Sequence, residues 1–224
     1  RRRSVALLSD ATAANPTFTP DVLGDYTIRV TATDVVGTNV QTASRRLFGG
    51  TYLGGSACAQ CHGNQDSLVD ATEHASVFER NGAALFAGGA GCFSCHVLDP
   101  VPSPAPPPSG SFGEAAAAEG LDPLTYAYTT FAQFEADFPQ SAALTNVQCE
   151  NCHGPGSAHV AAESGESKLG EAEIQKLRSE MKLPLAKNAA YNRCAKCHDG
   201  DNDPDFSDKT FEKYWKQIEH KGKD

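Results

Sequence analysis

The chain has 224 residues and a formal net charge of −9, which gives it no electrostatic footing on nucleic acid or anionic lipid. Only 40% of its residues are hydrophobic and 8% aromatic, thin for a core of that size. No stretch approaches the roughly 20 apolar residues of a membrane-spanning helix.

At the N-terminus the apolar run is only Val5 to Leu8, too short for a signal peptide. The expectation is therefore a mature form or a window from a longer chain. Composition changes sharply near Phe48-Gly49-Gly50: no Cys or His precedes it, and all of both follow it. Two regions are predicted, 1–47 and 48–224. Within the first, Tyr26, Ile28, Val30 and Ala32 alternate with Thr27, Arg29, Thr31 and Thr33, the period of a strand with one buried face. Leu23-Gly24-Asp25 reads as a turn before it, Asp34 to Gly37 as a hairpin turn after it, and Thr38 to Ala43 as the returning strand.

The stretch NPTFTPDVLGDYTIRVTATDVVGTNV, residues 15–40, carries Phe-Thr-Pro, Gly-x-Tyr and Thr-Asp-x-x-Gly patterns. Taken over residues 4–44, it resembles the C-terminal half of an immunoglobulin-like β-sandwich of the polycystic-kidney-disease type. Such sandwiches need about 100 residues and seven strands, so the resemblance implies half a sandwich with open edges. Either the first half of the sandwich has been cut away, or a second copy completes it, which would make a homopolymer through this segment, or the segment packs on the rest of its own chain.

Beyond residue 50 one kernel occurs four times: Cys58-Ala-Gln-Cys61-His62, Cys92-Phe-Ser-Cys95-His96, Cys149-Glu-Asn-Cys152-His153 and Cys194-Ala-Lys-Cys197-His198. These copies use all eight cysteines and four of the seven histidines. C-x-x-C-H is the attachment signature of c-type haem. Two thiols one helical turn apart reach two vinyl positions on one porphyrin edge, and the adjacent His lies beneath the iron as proximal ligand. Structural zinc needs no histidine after each cysteine pair, and redox dithiols do not explain four pairs each followed by His. The cofactors predicted are four covalently attached haems, whose macrocycles supply the missing apolar volume.

Between the motifs, the chain reads as short helices and long loops. In Ser67 to Phe78, Leu68, Ala71, Ala75 and Phe78 form an apolar helical stripe with His74 facing the same way. Asp99 to Gly110 carries six prolines and reads as an extended polyproline connector, a spacer between motifs one and two and motifs three and four. Thr129 to Phe138 and Gly170 to Met181 read as helices, the former with Phe131, Phe134 and Phe138 on one face.

Three histidines lie outside the motifs: His74, His159 and His220. A second His on the far face of a haem gives six-coordinate low-spin iron, suited to electron transfer. Gly154-Pro155-Gly156 cannot continue the helix of the third motif, so it directs His159 away from its own haem and toward a neighbour's. His220 falls off the stripe of Phe211, Trp215 and Ile218 if that helix stays regular. Four haems with two histidines each require eight, and the chain has seven. One iron is therefore open or bound by something else. The haem of Cys92 and Cys95 is the candidate, and Met181 is the one methionine available, although core packing is its ordinary role.

GGSACAQCHGNQDSLVDATEHASVF, CENCHGPGSAHV and RCAKCHDGDNDPDF…YWKQIEH resemble the multihaem family of the tetrahaem cytochrome that accepts electrons from hydroxylamine oxidoreductase, in pieces over residues 54–220. The resemblance implies a mainly α fold with much loop, organised around stacked haems. It implies His74, His159 and His220 as distal ligands and one five-coordinate haem. The expected function is electron transfer to redox partner proteins or an extracellular acceptor, with subunits stacked into a filament as an elaboration. Haem attachment outside the cytoplasmic membrane implies an extracellular or cell-surface location, with the periplasm second. The alternative is an enzyme whose open haem acts on nitric oxide, nitrite or hydroxylamine, although the chain lacks the C-x-x-C-K motif of multihaem nitrite reductases.

Overall fold

A computed structural model describes residues 5–13, 16, 18, 24–33, 40–88, 90–93, 95–98, 107–183 and 187–220. The expected turn at 34–37 and most of the polyproline connector, 99–106, lie outside the described residues. The chain is mainly helical and divides into two compact units, residues 1–50 and 51–224.

In the first unit, β1 (Gly24–Thr33) pairs antiparallel with β2 (Val40–Gly49), Gly24 opposite Gly49 and Thr33 opposite Val40. The returning strand thus runs past Ala43 through Ser44, Arg45 and Arg46. Ladder hydrogen bonds are made by the backbone, so polar side chains do not end the pairing. The alternation in β1 does not give a fully buried face: Val30 is 62% exposed and Ile28 half-buried. Among the described residues the sheet has two strands, too few to cover a face by themselves.

The second unit contains α1 (Gly55–Ala59), α2 (Gly63–Asp70), a 3₁₀ turn (Glu73–Ser76), α3 (Val77–Gly88) and α4 (Ala90–Phe93). Then come α5 (Phe112–Glu119), α6 (Phe131–Asp137), α7 (Pro139–Ala142), α8 (Cys149–His153) and α9 (Ser157–Glu163). Last are α10 (Glu171–Met181), α11 (Lys187–Cys194) and α12 (Phe211–Ile218). Residues 67–78 do not form the single helix the stripe predicts. Thr72 turns its hydroxyl onto the Val69 carbonyl at 2.6 Å and takes an extended conformation; such local side-chain bonding competes with helix continuation. Leu68 and Ala71 are left exposed, while Phe78, on the next helix, is fully buried.

Phe78 centres an aromatic core with Phe93, Phe112 and Phe134, each 0% exposed, and with Phe86, Phe131, Phe138, Tyr126 and Tyr128 around it. The three-residue spacing of Phe131 and Phe134 on α6, with Phe138 at its C-cap, turns all three toward this core. Gly82 on α3 lets Tyr128 lie directly against the helix backbone, where a Cβ would collide with its ring. A second cluster joins Ala190, Phe206 and Phe211 with Tyr191, Tyr214 and Trp215.

The stretch leading into α8 links elements distant in sequence. Leu98 N–H donates to the Leu144 carbonyl at 2.8 Å, Val147 N–H to the His74 carbonyl at 3.1 Å, and Phe78 N–H to Asn146 Oδ1 at 2.8 Å. Asn151 Nδ2 donates to the Val97 carbonyl at 2.8 Å, and Gly55 N–H to Gln148 Oε1 at 2.6 Å. Asn146 accepts this role with φ of 67°, a left-handed conformation that Asn tolerates better than most residues. Segments following motif two, preceding motif one and flanking His74 are thereby fixed to motif three.

Candidate functional site

Kernels one, three and four each close a helical turn. His62 N–H donates to the Cys58 carbonyl at 2.9 Å and His198 N–H to the Cys194 carbonyl at 2.9 Å. Motif three is α8 itself, and His96 N–H donates to the Phe93 carbonyl at 2.9 Å. The turn puts both sulfurs and the imidazole of a kernel on one side. None of the eight cysteines is in a disulfide.

The kernels meet through their thiols. Cys58 and Cys149 hydrogen-bond to each other, which raises the Cys58 pKa and lowers that of Cys149. Cys197 is raised above the ordinary thiol value by its hydrogen bond with Cys95 and by burial. Burial pushes Cys152 up to about 11, with the nearby Cys194 adding to the rise. Motif one therefore adjoins motif three, motif three adjoins motif four, and motif four adjoins motif two.

The three histidines outside the kernels each face a kernel histidine. His159 lies opposite His62, ring centroids 6.2 Å apart with planes at 18°. His74 lies opposite His198 at 5.9 Å and 68°, and His220 opposite His153 at 5.8 Å and 60°. Among the described residues no histidine ring faces His96, whose Nδ1 is buried without a hydrogen-bond partner. Two of these placements depend on chain direction changing at a helix end. Gly154, with φ of 87°, ends α8 and redirects the chain into α9, which carries His159. Helix α12 stops at Ile218, and extended Glu219 swings His220 off the Phe211 stripe toward His153.

Second partners orient the rings. His153 Nδ1 donates to the Met181 carbonyl at 2.5 Å, and His220 Nδ1 to the Ile218 carbonyl at 3.0 Å. His198 Nδ1 donates to Asp203 Oδ2 at 2.7 Å. Carbonyl and carboxylate oxygens accept only, so in each of these rings Nδ1 carries a proton and Nε2 is the nitrogen that could hold a metal. Met181 thus acts through its backbone, and its side chain rests against Gly156. Burial lowers the pKa of His74, His96, His153 and His159, holding them in the neutral form that ligates metals.

These residues fit haem better than a bare ion. An iron between two imidazoles would separate ring centroids by about 6 Å, from metal–nitrogen bonds of about 2 Å and the half-width of each ring; the three pairs lie 5.8–6.2 Å apart. Among the described residues no three His, Cys, Asp or Glu side chains converge as a bare-ion site. Two axial donors alone suit a metal whose equatorial donors come with it, as in a porphyrin. One cleft is lined by Cys58, Cys149, Cys152, His62, His74, His153 and His220, which draws residues of motifs one and three together with His74 and His220.

Glu150, between the cysteines of motif three, was not singled out by sequence. It is 1% exposed, and its carboxylate accepts from Leu53 N–H at 2.9 Å, Gly54 N–H at 2.8 Å and Gly156 N–H at 2.6 Å. It ties the approach to motif one to the turn before His159. Thr51 and Ser157 reinforce the tie, Thr51 N–H donating to Ser157 Oγ at 2.8 Å.

No protein-family model, curated protein or solved structure matches the chain. Among the described residues no helix is long and apolar enough to cross a membrane.

Proposed function

We propose that this chain is a tetrahaem c-type electron-transfer protein. The observation that carries the reading is the pairing of His159, His74 and His220 with three kernel histidines at 5.8–6.2 Å. Cys58 and Cys61, Cys149 and Cys152, Cys194 and Cys197, and Cys92 and Cys95 would hold the four groups. His62 with His159, His153 with His220, His198 with His74, and His96 alone would be the axial ligands. Haem in these places supplies one-electron ferric–ferrous cycling. The chain's own residues set spacing and order: thiol contacts support the sequence motif one, motif three, motif four, motif two, ending at the open histidine. Partners at Nδ1 keep His153, His198 and His220 aimed, and burial disfavours protonation of His74, His96, His153 and His159.

The resemblance to the cytochrome family that accepts electrons from hydroxylamine oxidoreductase belongs to this reading, as does a location outside the cytoplasm. So does end-to-end assembly through the β segment into an extracellular filament passing electrons to redox partners or an external acceptor. Intact mass and a pyridine haemochrome spectrum test the central claim: four haems per chain are expected, and none would end the reading. Electron microscopy tests the assembly, with uniform filaments expected and discrete particles counting against it. The lone His96 favours a second reading, in which the open haem acts on nitric oxide, nitrite or hydroxylamine; a carbon monoxide-induced shift in one haem of four is its signature.

A further inference from the structure

We propose that Asp203 is a positioning residue that lowers the reduction potential of the centre built on His198 and His74. The proposal rests on the tetrahaem reading and assigns one tuning element within it. Asp203 Oδ2 accepts from His198 Nδ1 at 2.7 Å, and its other oxygen accepts from the Tyr214 hydroxyl at 3.0 Å. The carboxylate is about three-quarters covered, as is the imidazole it faces. Phe206 and Tyr214 lie against the His198 ring at 5.1 and 5.6 Å, so the contact sits beside apolar surface where a charge acts strongly.

A negative charge on the Nδ1 proton draws imidazole toward imidazolate, makes Nε2 the stronger donor and favours ferric over ferrous iron. The structure contains its own contrast. His153 and its partner His220 cross at nearly the same angle as His198 and His74, but the Nδ1 of His153 meets a neutral backbone carbonyl. The tuning therefore belongs to Asp203 rather than to ligand geometry. Tyr214 donates to the same carboxylate and withdraws part of its charge from His198. Asp203 and Tyr214 thus push the potential in opposite directions.

The test is spectroelectrochemical titration of the holoprotein with Asp203→Asn, Asp203→Glu and Tyr214→Phe. Asn keeps a carbonyl oxygen for His198 and an amide for Tyr214 while removing the charge. One midpoint should rise by about 59 mV or more, a tenfold shift for one electron, with that haem still low-spin and the others unmoved. Glu should restore most of the shift, and Tyr214→Phe should lower the same midpoint. An unmoved midpoint in Asp203→Asn, or a rise that comes with conversion to high spin, overturns the proposal. If the Asn variant does not assemble, Tyr214→Phe decides it, since a rise or no change contradicts the opposed-sign argument. Wild-type mass is read first: fewer than four haems defeats the tetrahaem reading, whereas four haems with an unresponsive midpoint defeats only the role of Asp203.

Discussion

Glu150→Gln is nearly isosteric and tests whether a buried carboxylate fastens motif one to motif three. The carboxylate accepts three backbone N–H bonds, two at Oε2 and one at Oε1, at 1% exposure. Glutamine retains one oxygen. Its best orientation keeps Leu53 and Gly54 N–H satisfied and turns the side-chain amide toward Gly156 N–H, donor against donor. An unsatisfied buried donor costs about 1–3 kcal/mol, and the two remaining bonds each lose about 1 kcal/mol when the acceptor becomes neutral. The sum is about 3–5 kcal/mol, a large share of the roughly 5–15 kcal/mol that holds a domain together. At about 2–4 °C per kcal/mol for a chain of this size, the thermal midpoint of the holoprotein should fall by about 10 °C, followed at the haem absorbance and by far-ultraviolet circular dichroism. Exposed Glu135→Gln is the control and should change nothing. A loss below about 1 kcal/mol in Glu150→Gln would mean that these hydrogen bonds do not carry the junction.

Other outcomes follow from the same geometry. His159→Ala should convert one low-spin haem, that of His62, to high-spin; an unchanged spectrum removes His159 from the ligand set. Electron paramagnetic resonance should resolve one rhombic low-spin signal from the 18° pair and two large-anisotropy signals from the 60° and 68° pairs. Crossed ligand planes leave two iron d orbitals nearly degenerate; three rhombic signals would contradict the pairing. Phe134→Ala, in the aromatic core, should cost about 3–5 kcal/mol in denaturant titration without altering any haem spectrum. For pH, burial lowers the folded pKa of His74, His96, His153 and His159 below the reference 6.5. The folded state then binds fewer protons than the unfolded chain, so this stability is present above pH 6.5 and is lost as pH falls through the folded values. Thermal midpoints should drop between pH 7 and 5, and a flat profile would oppose it.

What could be read from sequence was what covalent chemistry forces into adjacent positions. A turn proposed to attach haem is contiguous, so Cys149, Cys152 and His153 stand out as a motif. Their partners need only be near in space. His159 is six residues from His153 but faces His62, and nothing in local periodicity chooses between them except the Gly154 turn. His220 falls off the stripe of a regular helix, and its place opposite His153 follows from the helix ending two positions earlier, a boundary that no capping residue marks. Glu150 and Asp203 were passed over for the same reason. A Glu between two cysteines, or an Asp in the run Asp199-Gly-Asp-Asn-Asp203, has the composition of solvated surface, and only long-range backbone donors or a ring nitrogen reveal otherwise. Phe131, Phe134 and Phe138 were legible because helical periodicity encodes their shared face directly. The stripe from Leu68 to Phe78 had the same periodicity and failed at Thr72, whose hydroxyl bonds its own backbone.

The distribution of apolar packing bears on how such a chain reaches its folded state. The aromatic core around Phe78 and the smaller cluster around Phe206 are complete in themselves. The histidine pairs bring together residues such as His62 and His159, or His74 and His198, and hydrogen bonds at Glu150, Gln148 and Val147 tie the approach to motif one and the backbone of His74 to motif three. Backbone hydrogen bonds contribute only about 1 kcal/mol net apiece, too little to hold four kernels against chain entropy. On the tetrahaem reading, ligand bonds that cross between segments distant in sequence would add the missing cohesion, as structural metals do in small domains. Attachment and folding would then be coupled, and the coupling uneven. Replacing Cys92 and Cys95 by Ala would remove the proposed centre whose His96 faces no other histidine ring among the described residues. That change should leave the other kernels assembled, whereas the same change at Cys149 and Cys152 cuts the His153–His220 link and the centre of the thiol chain. Limited proteolysis separates the cases: comparable resistance in both variants would show that cross-links from the histidine pairs are not what closes this part of the fold.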